Sequence, residues 1–228
     1  MLNYSKNNYQ KYEHFWSSMI AKGYMFSKDP WHYSSKIPYR LIGDFEKLLK
    51  KENSGNKLLD VGVGNARHAI YFTKKDFRVW GIDISESAIK FARYNCKLNN
   101  CEINLRLGDV LSLPYSKNSF DVIIDSGCFH HLRKIEWPIY LKNINKVLKK
   151  RGYLFLLTFS NKTQRVNKLG VRQGKYKNWS VRNHHYYHYF SKKEIEKIFD
   201  SDFNILKCYD IRRSNSPIYF KIIYIQKK

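Results

Sequence analysis

The sequence predicts an α/β chain built on a doubly wound, mostly parallel sheet of seven strands that ends in an antiparallel hairpin. Three observations carry this expectation. Strand-like apolar runs alternate with helix-period runs from Leu58 to Ser160, the pattern of parallel strands joined by crossover helices. The first strand runs into a turn with two glycines, Gly62 and Gly64, and then into a helix. The last part of the chain reads FNILKCYDI and PIYFKIIYIQ with RRSNS between them, which suits two strands paired across a short polar turn.

Taken in order, residues 1–54 read as helical and aromatic, with Tyr4, Tyr9, Tyr12, Phe15 and Trp16 first and Trp31 and Tyr33 around Pro30. IGDFEKLLK has helical spacing, and ENSGN breaks the chain before Leu58. KLLDVG is then a buried strand and ARHAIYFTKK a helix. FRVWGIDI is the second strand, and ESAIKFARYNCKL the second helix of the alternation, with Ser85 as its N-cap. EINLRLGDV and SFDVIIDSG give the third and fourth strands, EWPIYLKNINKVLKK a helix ending near Gly152, and GYLFLLTFS the fifth strand. Residues 160–190 are polar, basic and aromatic without clear periodicity, and SKKEIEKIF is a short helix opened by a Ser191/Glu194 capping box.

Composition narrows the class. The chain has 228 residues, of which 43% are hydrophobic, enough for one sizeable core, so a single domain over 1–228 is expected. No apolar run reaches the ~18 residues of a spanning helix, and the polar start MLNYSKNNYQ lacks a signal-peptide core. Cys96, Cys101, Cys128 and Cys208 form no CxxC pair. Free thiols in a reducing cytoplasm are therefore expected, with no metal site. The formal net charge is +23. A basic surface for RNA is one reading; lysines spread along a chain rich in Lys, Asn, Ile and Tyr are the other.

The chemistry begins at the glycine turn. Gly62 permits the turn, and Gly64 lets backbone amides approach a ligand. A dinucleotide site would want a third glycine at position 67, which is Arg67 here, and this argues against a nicotinamide or flavin oxidoreductase. Asp83 closes the second strand, 19 residues after Gly64, where an acid can accept from both ribose hydroxyls. Asp109, in Gly108-Asp109-Val110, could accept from an adenine amine. The alternative for each is structural: a tight turn, or solvated carboxylates at strand ends.

Together Asp60-Val61-Gly62-Val63-Gly64-Asn65, Gly81-Ile82-Asp83-Ile84-Ser85 and Gly108-Asp109-Val110 resemble the class I S-adenosylmethionine-dependent methyltransferases, from about Leu41 to the C-terminus. The resemblance implies a Rossmann-like methyltransferase fold with S-adenosyl-L-methionine as cofactor. Asp60 and the Gly62–Gly64 turn would hold the methionine part, Asp83 the ribose, Ile84 an adenine face, and Asp109 the adenine edge, with Asn65 and Val110 as further cofactor-binding candidates. Two positions depart from the family pattern: Ala66 stands where a third glycine is usual, and Val63 where cysteine is common.

Two sub-resemblances concern the methyl acceptor. The FDVIIDSGCFHHL and GYLFLLTFS runs, with Pro30-Trp31 ahead of the first strand, are similar to small-molecule methyltransferases of the thiopurine and tellurite-resistance kind. In those enzymes an N-terminal piece closes over the cofactor, so 1–54 is expected to be a lid and 160–190 a substrate-side insertion. HHYYHYFSKKEIEKIF is also similar to enzymes that finish modified wobble uridines in transfer RNA. A small-molecule acceptor is the expected partner and RNA the alternative; a non-enzymatic binding protein on the same fold is a third reading. Phe129, His130 and His131 follow the fourth strand, whose end faces the crevice in an open α/β sheet. His130, His131, Tyr187 and His188 are the candidates to orient the acceptor and take its proton. Asp125 could touch the cofactor, hold a cationic amine or orient a histidine. Trp31, Tyr33, Phe129 and His184 are candidates for the substrate side.

Overall fold

A computed structural model describes residues 4–22, 36–163, 178–182, 185–212 and 218–228. Trp31, Tyr33, His184 and most basic residues of 161–182 lie outside the described residues. The fold class is the expected one: α/β with parallel strands, flanking helices and a terminal antiparallel pair. The chain forms two compact units, Met1–Pro114 and Tyr115–Lys228.

The first unit opens with helices α1 (Tyr4–Ala21) and α2 (Lys36–Lys51). Three strands follow, β1 (Lys57–Val61), β2 (Arg78–Asp83) and β3 (Asn104–Leu107), all parallel in the order β3-β2-β1. The crossovers are α3 (Arg67–Thr73) and α4 (Glu86–Leu98). β1 is buried along nearly its whole length, which suits its apolar Leu58, Leu59 and Val61 and leaves Asp60 as a buried acid among them. Close strand packing also explains two glycines, since a Cβ on Gly81 would lie 2.8 Å from Val63 and Leu105, and one on Gly108 would lie 2.8 Å from Ile82. Ser85 caps α4 as expected, its Oγ accepting from the Ala88 amide at 3.0 Å.

The second unit holds β4 (Phe120–Ser126), α5 (Trp137–Val147) and β5 (Leu148–Ser160), with β4 and β5 parallel. The helix expected to run to Gly152 stops at Val147. Gly152 has no room for a Cβ, which would sit 2.8–2.9 Å from Leu148, the Lys149 carbonyl and the Asp121 carbonyl. Residues 160–190, expected to be irregular, contain an antiparallel hairpin of β6 (Trp179–Arg182) and β7 (His185–Phe190). β7 also joins β5 in parallel. This adds two strands to the seven anticipated. The aromatic run forms a strand because rings pack well on a pleated surface. Helix α6 (Lys192–Phe199) carries the expected capping box, with the Glu194 amide donating to Ser191 Oγ at 3.2 Å. β8 (Phe203–Arg212) and β9 (Tyr219–Lys227) form the terminal antiparallel pair, and β9 runs antiparallel to β5. Among the described residues no helix is long and apolar enough to cross a membrane.

Candidate active site

In the first unit β1 delivers Asp60, buried at its end, to the glycine turn. The turn is tight: the Gly62 and Val63 amides both donate to the Ile82 carbonyl, at 2.8 and 3.0 Å. Gly62, Gly64 and Ala66 all have left-handed φ, at 68°, 53° and 63°. Ala66 therefore adopts the glycine conformation with a methyl group attached, at a cost of about 1–2 kcal/mol. Gly64 has a second reason to be glycine. A Cβ there would lie 2.8 Å from Cζ2 and 3.0 Å from Cη2 of Trp16, on α1. Asn65 is buried, and its carbonyl accepts from Asn95 Nδ2 at 2.9 Å.

Asp83 stands at the end of β2. Its Oδ2 accepts from the Gly64 amide at 2.9 Å and its Oδ1 from the Ser85 amide at 3.0 Å. Burial pushes its pKa up to about 6, against the lowering by the Ser85, Gly64 and Ile84 amides. Three amides for the roughly four lone-pair sites of a carboxylate leave Asp83 some acceptor capacity. Ile84 is half-buried beside it. Asp109 caps a short 3₁₀ turn by accepting from the Leu111 amide at 2.9 Å, and burial raises its pKa. Val110 begins that turn and is buried. A carboxylate able to accept from paired hydroxyls and an apolar neighbour, set beside a tight left-handed turn, fit an adenosine with an amino-acid tail.

In the second unit Asp125 is fully buried at the end of β4. Its Oδ1 accepts from the Cys128 amide at 2.8 Å, and its Oδ2 accepts from Tyr140 Oη at 2.9 Å and the Phe129 amide at 3.1 Å. These bonds spend the carboxylate on shaping the turn after β4, although it was expected to touch the cofactor or an amine. Phe129, expected on the substrate side, is a core ring with no exposed surface; it stacks on Phe190 and packs against Tyr140, Trp137 and Phe199.

The two histidines that follow behave differently. His130 is buried, its ring 4.3 Å from those of both His131 and Phe159, and its Nδ1 has no hydrogen-bond partner among the described residues. Burial, with His131 and His188 nearby, lowers its pKa well below the usual value. His131 Nδ1 lies 2.9 Å from the Tyr186 carbonyl. A carbonyl only accepts, so Nδ1 carries the hydrogen and Nε2 is the basic nitrogen. Burial pushes the His131 pKa down to about 4, against that hydrogen bond and helped by His185.

Strand alternation divides β7. His185, Tyr187 and Tyr189 share one face, and Tyr186, His188 and Phe190 the other. Tyr187 lies beside the histidines, with ring centroids 4.9 Å from His131 and 5.8 Å from Phe159. His188 is turned the other way, pinned to Glu194 through Nε2 at 2.8 Å and packed against Trp137, Trp179 and Phe190. The four catalytic candidates therefore split into a cluster of three and one histidine placed as core. Phe159 was missed by sequence reasoning; its cue was its place at the end of β5, where it faces Tyr187 and Tyr189.

The family described as "Methyltransferase domain" matches residues 58–152. An uncharacterized methyltransferase of Schizosaccharomyces pombe is 31% identical over 113 residues, covering 50% of this chain and 78% of that protein. The chain is a class I S-adenosylmethionine-dependent methyltransferase. This methyltransferase is also 31% identical, over 128 residues, to a ubiquinone biosynthesis O-methyltransferase of Pelagibacter ubique, covering 56% of this chain and 52% of that protein. Its fold is shared with a 1,6-didemethyltoxoflavin-N1-methyltransferase of Burkholderia thailandensis, whose structure contains 1,6-didemethyltoxoflavin and S-adenosylhomocysteine. That likeness has a TM-score of 0.68 at 17% identity, over 95% of this chain and 90% of the other.

Proposed function

We propose that this methyltransferase transfers a methyl group to a nucleophilic N, O or S atom of a small molecule. The observation that carries the reading is the cluster of His130, His131, Tyr187 and Phe159: apolar ring faces around imidazoles that burial keeps neutral. Flat faces favour a flat acceptor. The names of two similar proteins, a ubiquinone-pathway O-methyltransferase and a toxoflavin N-methyltransferase, support the same class.

In this reading the first unit holds the cofactor. Asp60, the Gly62–Gly64 turn and Asn65 bind the amino-acid end, Asp83 accepts from the ribose hydroxyls, and Ile84, Asp109 and Val110 take the adenine. The cofactor supplies a methyl group already activated on a sulfonium. The chain's own work is to orient the nucleophile and exclude water. Either His131 Nε2 or His130 Nδ1 accepts the acceptor's single proton and passes it on to solvent, since burial disfavours the imidazolium form, and Tyr187 supplies a wall and a hydroxyl. A cytoplasmic setting, which suits four free cysteines, belongs to the same reading.

The test is incubation with methyl-labelled S-adenosylmethionine and separate panels of aromatic hydroxyls, amines, thiols and total transfer RNA. Label in a small aromatic acceptor is expected. Label in transfer RNA alone would overturn the reading in favour of the RNA enzyme.

A further inference from the structure

Helix α1 reaches both walls of the cofactor-holding turn with residues one helical turn apart. Trp16 seats its indole on Gly64 and meets Phe91 of α4 edge-on, with centroids 6.1 Å apart. Glu13, three residues earlier on the same face, spans the start of α4. Its Oε2 accepts from Ser85 Oγ at 2.8 Å and from the Ser87 amide at 3.1 Å, and its Oε1 accepts from Ser87 Oγ.

These bonds complete the first turn of α4. The Ala88 amide goes to Ser85 Oγ, the Ser87 amide to Glu13, and the Ile89 amide to the Ser85 carbonyl. A helix start presents unpaired amides and a partial positive charge, and here a carboxylate from 72 residues earlier meets them. Burial acts to raise the Glu13 pKa, but hydrogen bonds from Ser87, Ser85 and the Glu86 amide outweigh it and hold Glu13 below its ordinary value. Glu13 is thus an anion at neutral pH. Ser85 links the two acids, since its hydroxyl donates to Glu13 and its amide to Asp83, while the Gly64 amide under Trp16 donates to the other Asp83 oxygen.

We propose that Glu13 is a positioning residue for the cofactor: from α1 it fixes the start of α4 and, through Ser85, the carboxylate of Asp83, with Trp16 holding Gly64 from the same helix. The inference rests on the reading that Asp83 binds the ribose. A clasped α1 keeps both Asp83 oxygens oriented before the ligand arrives, which preserves affinity otherwise lost to ordering the loop.

The test is calorimetry with S-adenosylhomocysteine, well below each variant's Tm. Glu13→Ala should weaken binding roughly three- to thirtyfold, the fold-change that matches loss of one helix cap. Glu13→Gln, which keeps the length and one acceptor oxygen, should recover part of it. Ser87→Ala, which leaves Glu13 intact, should weaken binding in the same direction, and the double variant should add little to Glu13→Ala. Hydrogen exchange at the Ser85 amide should speed up in all of them. Wild-type affinity in Glu13→Ala and Ser87→Ala, even with a lowered Tm, would overturn the clasp alone and leave a merely structural contact. Failure of the wild type to bind would overturn the cofactor reading, and the clasp with it.

Discussion

At the scale of single residues, Asp83 concentrates the argument. Its carboxylate already organises the Gly64 and Ser85 amides, and in the proposed site it also accepts from two hydroxyls. Asp83→Ala leaves those groups unpaired, at a cost on the order of 1–3 kcal/mol, so affinity for S-adenosylhomocysteine should fall about tenfold or more. Calorimetry decides it, and equal affinities would sink the assignment. The raised pKa adds a pH dependence. Asp83 moves from 3.8 to about 6 on folding, so between those values the folded chain keeps a proton that the unfolded chain has lost. Its contribution to stability therefore declines as pH rises through that window. Ligand binding runs the opposite way, because the ionised form is the acceptor: affinity should drop as pH falls below about 6. A flat profile would remove Asp83 as the ribose group.

At the scale of elements, the glycine turn and β7 each make a prediction. Gly64→Ala meets two obstacles, a left-handed φ of 53° and Trp16 at 2.8 Å. The conformation costs about 1–2 kcal/mol and overpacking typically 1–3 kcal/mol. The variant should show a lowered Tm and faster hydrogen exchange in α1; a change in Tm alone would mean that Trp16 yields without the helix moving. On β7, neighbouring residues should respond differently. Tyr187 is half-buried beside His131, so Tyr187→Ala should reduce turnover with Tm close to wild type. His188 is buried, and its partner Glu194 would lose its imidazole, so His188→Ala should cost a few kcal/mol of stability, in the range for lost core packing. Equal Tm losses in the two would erase the distinction between the faces. This split was not legible from the run HHYYHYF, because the register of a strand depends on what it pairs with. Helix α4 shows the reverse case: its bounds were legible to the residue, since Ser85 caps locally and the helix period is strong.

At the scale of the whole molecule, alternation of strands and helices made the fold class legible, and short-range motifs marked Asp60, Gly62, Gly64, Asp83 and Asp109 as the candidates on which the proposed cofactor site rests. What stayed hidden was long-range. Nothing near Glu13 announces Ser85 and Ser87, and nothing near Asp125 announces Tyr140. The net charge of +23 is also a property of the whole chain. Lys162, one of the seven basic residues between Asn161 and Arg182, is ion-paired to Asp210 at 3.2 Å. Asp210 also binds the buried Lys221 at 2.6 Å. If the charge is compositional, transfer RNA should bind weakly and without preference, and the complex should dissolve as salt rises. A sub-micromolar complex with one transfer RNA, in the range of specific recognition, would reverse that expectation. Filter binding across a salt series measures it.

The Glu13–Ser85 bond also sets an order of events during synthesis. The α1 segment leaves the ribosome ahead of its partner, which follows 72 residues later. A lone helix of 18 residues with few strong helix formers is marginal in water, so α1 has to wait for the start of α4 before it finds its place. During that interval Phe15 and Trp16 are unprotected surface on a nascent chain, available to a chaperone or to a neighbouring copy.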